Sequence, residues 1–404
     1  MLVLALACAA PDRAPGGTVV IVGMDGLDVE ELGALRLPTF QRVADEGFLT
    51  TFRVPTSPIW SPVIWTSLAS GYPPEVHGVT HWARPDGNLY NSDHVLAKRI
   101  WDVASEQGWV SSVIAWPITS PARPLRGVQV AGGWAPSMVG PGREVALPEG
   151  HASPEELGAR VLALAPPRGW LTDRKLALQV ELVGFARHPA SVDEYTLRAW
   201  EALFEPRTQS LSLLYLCGAD QVGHLVDPAT RERTFGKRSL RGADVGPAWV
   251  RAYYRYLDDA LARVVARMDP ARDTLVVLSD HGFRLEGEAA GPDHRHRQPA
   301  VLMGWGRRAH PGATAGDADM YDVAATLHAL AGLPLARDFV GEPIAGAFRY
   351  PDRPEPVATW VVDARGKPPP PESASDAATA GQLRALGYLD EEGKPAREAP
   401  GPKK

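Results

Sequence analysis

Asp25, Ser61, Asp220, His224, Asp280, His281 and His296 are of the types that hold metal ions or attack electrophiles. Each stands just past an apolar run or at the start of a helix. Carboxylate oxygen and neutral imidazole nitrogen are ligands that zinc accepts, and several carboxylates gathered in one site would repel each other without cations. The seven therefore make up the ligand set expected of a two-metal hydrolase, with the serine hydroxyl available as a nucleophile.

The elements that must position them are written as apolar runs. Thr18–Met24 delivers Asp25-Gly26, and Thr274–Ser279 delivers Asp280-His281-Gly282. Between them, Leu211–Cys217 leads into Gly-Ala-Asp220, with His224 four residues on. Continuous apolar runs are strands buried on both faces, and in open α/β sheets ligands bind beyond the carboxyl ends of such strands. A helix opens at Leu37-Pro38, runs through Val43 and closes near Gly47; another covers Val95 to Gly108, and Ser112–Trp116 is a short strand. This rhythm predicts a mainly parallel sheet. Ser61 is expected as the N-cap of a helix reaching Gly71, with Pro62 at its first position. A hydroxyl there lies in the positive field of the helix, although an N-cap serine has a purely structural use too. Further helices are expected from Ala248 to Met268, where Val250, Tyr253, Leu257 and Leu261 form a core-facing stripe, and from roughly Met320 to Ala331, ahead of Gly332-Leu-Pro334.

With 404 residues the chain calls for one large α/β domain with insertions, or two lobes. Its 42 basic and 48 acidic residues are mixed throughout and leave a net charge of −6, which argues against general binding of nucleic acid. Two cysteines, Cys8 and Cys217, build neither a disulfide framework nor a thiolate zinc site. Met1–Ala10 resembles the hydrophobic region of a secretory signal ending in a lipoprotein-type cysteine, although the basic start is missing and Ala5 and Leu6 fit the lipidation box poorly. Export, with a lipid anchor at Cys8, is the expectation for residues 1–17; a disordered extension of a cytoplasmic protein is the competing reading. The main domain is expected over 18–350, interrupted by a cap insertion over about 133–205 and by an irregular, basic stretch from Asp227 to Pro247. Residues 351–404, rich in Pro, Ala and charge towards their end, are expected to be partly mobile.

The segments Met24-Asp25-Gly26, Ser61-Pro62 through Gly71, His77-Gly78, Asp220 with His224, Ser279-Asp280-His281-Gly282-Phe283 and His296-Arg297 occur in an order that resembles the alkaline phosphatase superfamily. Its type I phosphodiesterase/nucleotide pyrophosphatase branch is the most similar. The resemblance implies a three-layer α/β sandwich with a largely parallel sheet and an inserted cap. It also implies a metal-dependent hydrolase of small phosphoric esters, a diester in preference to a monoester. Asp220, His224 and His296 would hold one cation, and Asp25, Asp280, His281 and the Ser61 oxygen the other. Zinc suits these ligands, and manganese or iron would fit them too. His294 is a rival to His296, which stands just before the Arg-Gln-Pro299 turn; His77 is expected to be structural.

Departures from the family pattern limit the reading. Many relatives carry threonine where this chain has Ser61, and the asparagine expected after the His-Gly turn is Trp82 here, so Asn91 or another donor would have to take its role. Trp82 and Asn91 are accordingly the candidate substrate contacts. A sulfatase is disfavoured because Ser61-Pro-Val-Ile-Trp65 lacks the arginine four residues on from the nucleophile. A phosphomonoesterase would use the same residues. A non-catalytic exported binding protein would not need the whole ligand set that this chain retains.

Overall fold

The computed structural model describes residues 17–136, 147–167, 169–171, 189–226, 230, 246–285, 296–362, 379–381, 383–384, 389–390 and 392–394. In chain order the elements begin with β1 (Val19–Met24), α1 (Val29–Ala34), α2 (Pro38–Glu46), β2 (Phe48–Phe52), α3 (Ser61–Ser70), α4 (Pro74–His77) and α5 (Ile100–Glu106). Then come β3 (Ser111–Ile114), β4 (Gly127–Val130), β5 (Ala152–Ser153), α6 (Leu157–Leu162), α7 (Pro189–Leu203), β6 (Leu211–Leu216) and α8 (Gly218–His224). The series closes with α9 (Pro247–Val265), β7 (Thr274–Leu278), β8 (Gly282–Phe283), β9 (His296–Arg297), β10 (Ala300–Gly306) and α10 (Met320–Leu330). The expected Cys8 lipid anchor and the rival ligand His294 lie outside the described residues. Among those described, no helix is long and apolar enough to cross a membrane.

Among the described residues, eight strands form one sheet in the order β2-β10-β7-β1-β6-β3-β4-β5. The central pairs β1 with β6 and β7, and β3 with β4 and β6, are parallel, whereas β10 pairs antiparallel with β2 and β7. Alternation along β1 splits the core. Val20, Val22 and Met24 join a cluster containing Phe40 of α2, Trp200 of α7 and Leu257 of α9, while Val19 and Ile21 join a second cluster with Trp65 of α3, Trp101 of α5 and Leu327 of α10. Successive side chains of a strand point to opposite faces, so these two clusters are the two faces of one sheet covered by helices on both sides. The result is the three-layer α/β sandwich that the family resemblance implied, built on the mainly parallel sheet expected from the apolar runs.

Three expectations need correction. The helix expected from Val95 starts only at Ile100, because Ala97 forms a β-bridge with Val361 and the Arg99 N–H is held by the Asp102 carboxylate, which opens the first turn. The strand expected to reach Trp116 stops at Ile114, since Ala115 turns to a φ of 59°. The cap does not extend to 205: α7 lies within the helical layer on the sheet, with Trp200 fully buried and its Nε1 donating to Ser212 Oγ of β6 at 2.8 Å. Its charged residues disguised a core helix as part of an insertion, yet Asp193 and Glu194 are buried, accepting from Tyr253 and Arg263 of α9.

Candidate metal centre

Parallel pairing brings three strand ends to one edge. Gly23 is level with Leu278 and Met24 with Leu216, so the residues following β1, β6 and β7 emerge side by side. Asp25 follows β1, Asp280 and His281 follow β7, and α8 carries Asp220 and His224 one turn apart on a single face. The Asp220 N–H donates to Asp25 O at 3.1 Å, and the Gly26 N–H to Asp280 Oδ1 at 3.3 Å. Gly26 has a φ of +68°, and a Cβ there would meet Asp220 Cα at 3.0 Å. Only glycine allows this turn and this approach together.

His296 arrives by a separate route. The short antiparallel pair β8–β9 sets Phe283 opposite His296 and Gly282 opposite Arg297, carrying the His296 ring onto that of His281 with centroids 3.8 Å apart. Gly223 lets Phe283 approach α8, since a Cβ there would lie 2.9 Å from its ring.

The six side chains sort into two groups whose ligand atoms lie within 4.8 Å of one another: Asp220, His224 and His296 in one, Asp25, Asp280 and His281 in the other. All six are at most 8% exposed. In the first, His224 Nε2 and His296 Nε2 are each 3.2 Å from Asp220 Oδ1 and 3.1 Å from each other. His296 Nδ1 faces Ile59 O at 3.1 Å, and His281 Nδ1 faces Gly282 O at 3.0 Å. A carbonyl accepts, so each Nδ1 carries the proton and each Nε2 turns a lone pair into the site. Two imidazole nitrogens and a carboxylate oxygen converging on one point are a donor set that suits a divalent cation.

Without a cation between them, the clustered groups shift one another. Burial pushes the Asp280 carboxyl well above the usual carboxylate range, and the Asp25 charge adds to the rise. For Asp220 burial also pushes upward, but the His224 and His296 imidazoles outweigh it and hold the group well below that range. His281 is raised: burial works against its charged form, and the bond to Asp25, the charges of Asp25 and Asp220 and the Gly282 carbonyl together outweigh it.

Ser61 is the first residue of α3 rather than its N-cap, which is Trp60, and no side chain caps the helix. The hydroxyl instead donates towards Asp25 Oδ1 at 3.4 Å and lies 3.5 Å from His281 Nε2. The other oxygen of Asp25 accepts from the Tyr215 hydroxyl and from Trp65 Nε1 at 3.3 Å, which turns Oδ1 towards Ser61. His77, fully buried, bonds Ser67 Oγ at 3.0 Å and accepts from the Val79 N–H at 3.1 Å, so it braces α3 as expected. Trp82 lines a cavity that opens onto Asp25 and Asp220. Asn91 is not among the described residues lining that cavity; its Oδ1 accepts from the Asp93 N–H at 3.0 Å in a 3₁₀ turn.

Tyr215 and Trp65 were not singled out from sequence, nor was Asp28. The Asp28 carboxylate accepts from the Phe283 N–H at 3.0 Å and from Arg297 Nε at 2.7 Å and Nη2 at 2.5 Å, while capping α1 through Glu30 and Glu31 N–H. One buried carboxylate thus joins the segments bearing Asp25, His281 and His296. Its nearness to Asp25 and the adjacency of Arg297 to His296 were the available signals, but nothing local pairs them.

The profile of the type I phosphodiesterase / nucleotide pyrophosphatase family matches residues 19–294. No curated protein sequence matches the chain. Among solved structures, murine ectonucleotide pyrophosphatase / phosphodiesterase 5 is 13% identical, with 82% of this chain and 97% of that chain covered and a TM-score of 0.46. The phosphonate monoester hydrolase of Silicibacter pomeroyi is 13% identical over 81% of this chain and 76% of its own, with a TM-score of 0.49. Phosphonoacetate hydrolase of Sinorhizobium meliloti, bound to phosphonoformate, is 17% identical over 67% of this chain, with a TM-score of 0.43. The chain spans 57% of the length of that hydrolase. The family profile extends from the first residue of β1 almost to His296 and takes in Asp25, Ser61, Asp220, His224, Asp280 and His281: the chain belongs to the type I phosphodiesterase/nucleotide pyrophosphatase family.

Proposed function

We propose that this chain hydrolyses phosphoric esters, a diester in preference to a monoester, with Ser61 as nucleophile. Asp220, His224 and His296 would hold one divalent cation, and Asp25, Asp280, His281 and the Ser61 oxygen a second, zinc being the cation that best suits the ligands. When bound, the cations supply Lewis acidity that lowers the hydroxyl pKa and neutralises phosphoryl oxygens. The observation carrying the reading is the Ser61 hydroxyl, buried at the start of a ten-residue helix, unused as a cap and directed at Asp25 and His281. The helix field favours negative charge on that oxygen. Its attack on phosphorus forms an O–P bond as the bond to the leaving alcohol breaks; water then cleaves the phosphoseryl ester and returns the hydroxyl. Tyr215 and Trp65 keep Asp25 aimed throughout by holding its far oxygen. Export with lipid attachment at Cys8 belongs to the same proposal and is supported by the apolar Met1–Ala10.

The test is a hydrolysis screen of aryl phosphate diesters, aryl phosphate monoesters and aryl sulfates on metal-reconstituted protein, with elemental analysis alongside. The expected result is two transition-metal equivalents, preference for the diester and loss of activity on chelation. Active protein without metal, or a preference for sulfate esters, would overturn the proposal.

A further inference from the structure

The cavity that opens onto Asp25 and Asp220 is lined in part by two residues from near the C-terminus, Thr379 and Leu383. This lining is anchored. Thr379 Oγ1 donates to Gly133 O at 2.7 Å, and Leu383 and Leu389, each 4% exposed, share a small hydrophobic cluster with Trp60, Val63, Ala83 and Leu89. Trp60 and Val63 flank Ser61 on either side of the helix start, so the packing that seats the segment is continuous with the packing that seats the nucleophile. The remaining lining includes Trp82, Tyr90, Trp134 and Val192, and charge among the described lining residues is confined to Asp25 and Asp220.

Such a chamber discriminates by desolvation. An aryl or alkyl group entering it exchanges water for apolar and aromatic walls, which is favourable. A carboxylate or second phosphate there would lose hydration against the same walls with no basic side chain among the described lining residues to pair it. We propose that the cavity binds the uncharged, apolar organic group of the ester, and that Leu383 of the C-terminal segment is a specificity-determining residue. This rests on the reading of the centre as a phosphoric ester hydrolase and goes further in assigning the substrate class.

The experiment measures calorimetric binding of diphenyl phosphate and of bis(4-carboxyphenyl) phosphate to the full-length, metal-loaded protein, with Ser61→Ala added to every protein compared in this measurement so that the diesters are not turned over. Turnover of p-nitrophenyl phenyl phosphate is followed in parallel. Wild type is expected to bind diphenyl phosphate at least about 10-fold more tightly, a difference of about 1.4 kcal/mol. In Leu383→Lys the preference should shrink to within about threefold or reverse, through KM rather than kcat, with both metal equivalents retained. Leu383→Ala, which adds no charge, should weaken diphenyl phosphate several-fold and serves where the lysine disturbs folding. Equal binding of the two probes by wild type, or an unchanged preference in both metal-retaining variants, would overturn the proposal. Discriminating binding without turnover of any phosphate ester would refute the hydrolase reading and leave the pocket assignment standing.

Discussion

Replacing Ser61 by alanine separates chemistry from architecture, because the structure gives the hydroxyl almost no structural duty. It caps nothing, and its contacts to Asp25 Oδ1 at 3.4 Å and His281 Nε2 at 3.5 Å, beside a further one to Asp280, lie at the long edge of hydrogen-bond distance. An N-cap serine would be worth about 1 kcal/mol; bonds this long contribute less than an ordinary one, so the loss should stay below about 1 kcal/mol. Removing the attacking atom should instead lower kcat by at least about 10²-fold, or about 2.7 kcal/mol of transition-state stabilisation. Six ligand side chains remain, so most metal should be retained. Ser61→Thr keeps a hydroxyl and should keep measurable activity. The assay is kcat on an aryl phosphodiester for metal-loaded wild type and both variants, with thermal unfolding and elemental analysis on the same preparations. A fully active Ser61→Ala protein, or one that loses stability and turnover in proportion, would refute the reasoning.

Asp220→Ala or His224→Ala should empty the first cluster preferentially, and Asp25→Ala or Asp280→Ala the second; identical metal content and affinities in all four would reject the partition. Asp28→Asn should cost about 3 kcal/mol, the lower end for breaking a buried pair because Arg297 keeps some contact with water. The same change should weaken metal binding at least about 10-fold, as loss of an outer partner does; titration showing wild-type affinity would remove Asp28 as a positioning residue. Acid should destabilise the fold: burial pushes His77 down to about 3 and His151 and His328 to about 4, so they stay neutral when folded but protonate near 6.5 when unfolded. The unfolded chain then binds more protons below that pH, and their contribution, complete above 6.5, is lost as pH falls towards 3 to 4, at up to about 1.4 kcal/mol per unit for each. Asp193, pushed up to about 6 by burial, and Asp258, also raised by burial, work in the opposite sense, but in metal-loaded protein, where cations would hold Asp280 and His281, they are two carboxyls against four histidines, His81 being pushed down to about 4 as well. Unfolding free energies rising from pH 6.5 to 5 would contradict this account.

The residues that end the strands were legible because their signal is local. An apolar run buried on both faces stops near a charged group: Asp25 directly follows β1, Asp280 comes one residue beyond Ser279 after β7, and Asp220 stands in the first turn of α8 just past β6. The helix start at Ser61-Pro62 was equally visible, though its phase was not: one residue of difference turns the hydroxyl from a cap into a group facing the metal centre. Tertiary structure alone decided the lateral partners. His296 reaches His224 across 72 residues only because β9 pairs with β8, and Asp28 finds Arg297 only because both are carried to the same strand edge. Likewise α7 proved to be a sheet-covering helix, and Leu383 part of a pocket wall, through surfaces they bury rather than through their own pattern. Backbone periodicity and chain-stopping residues act over a few positions and can be read in one dimension. Which distant surfaces exclude water together is settled by the packing of the whole chain, and no short window of sequence contains it.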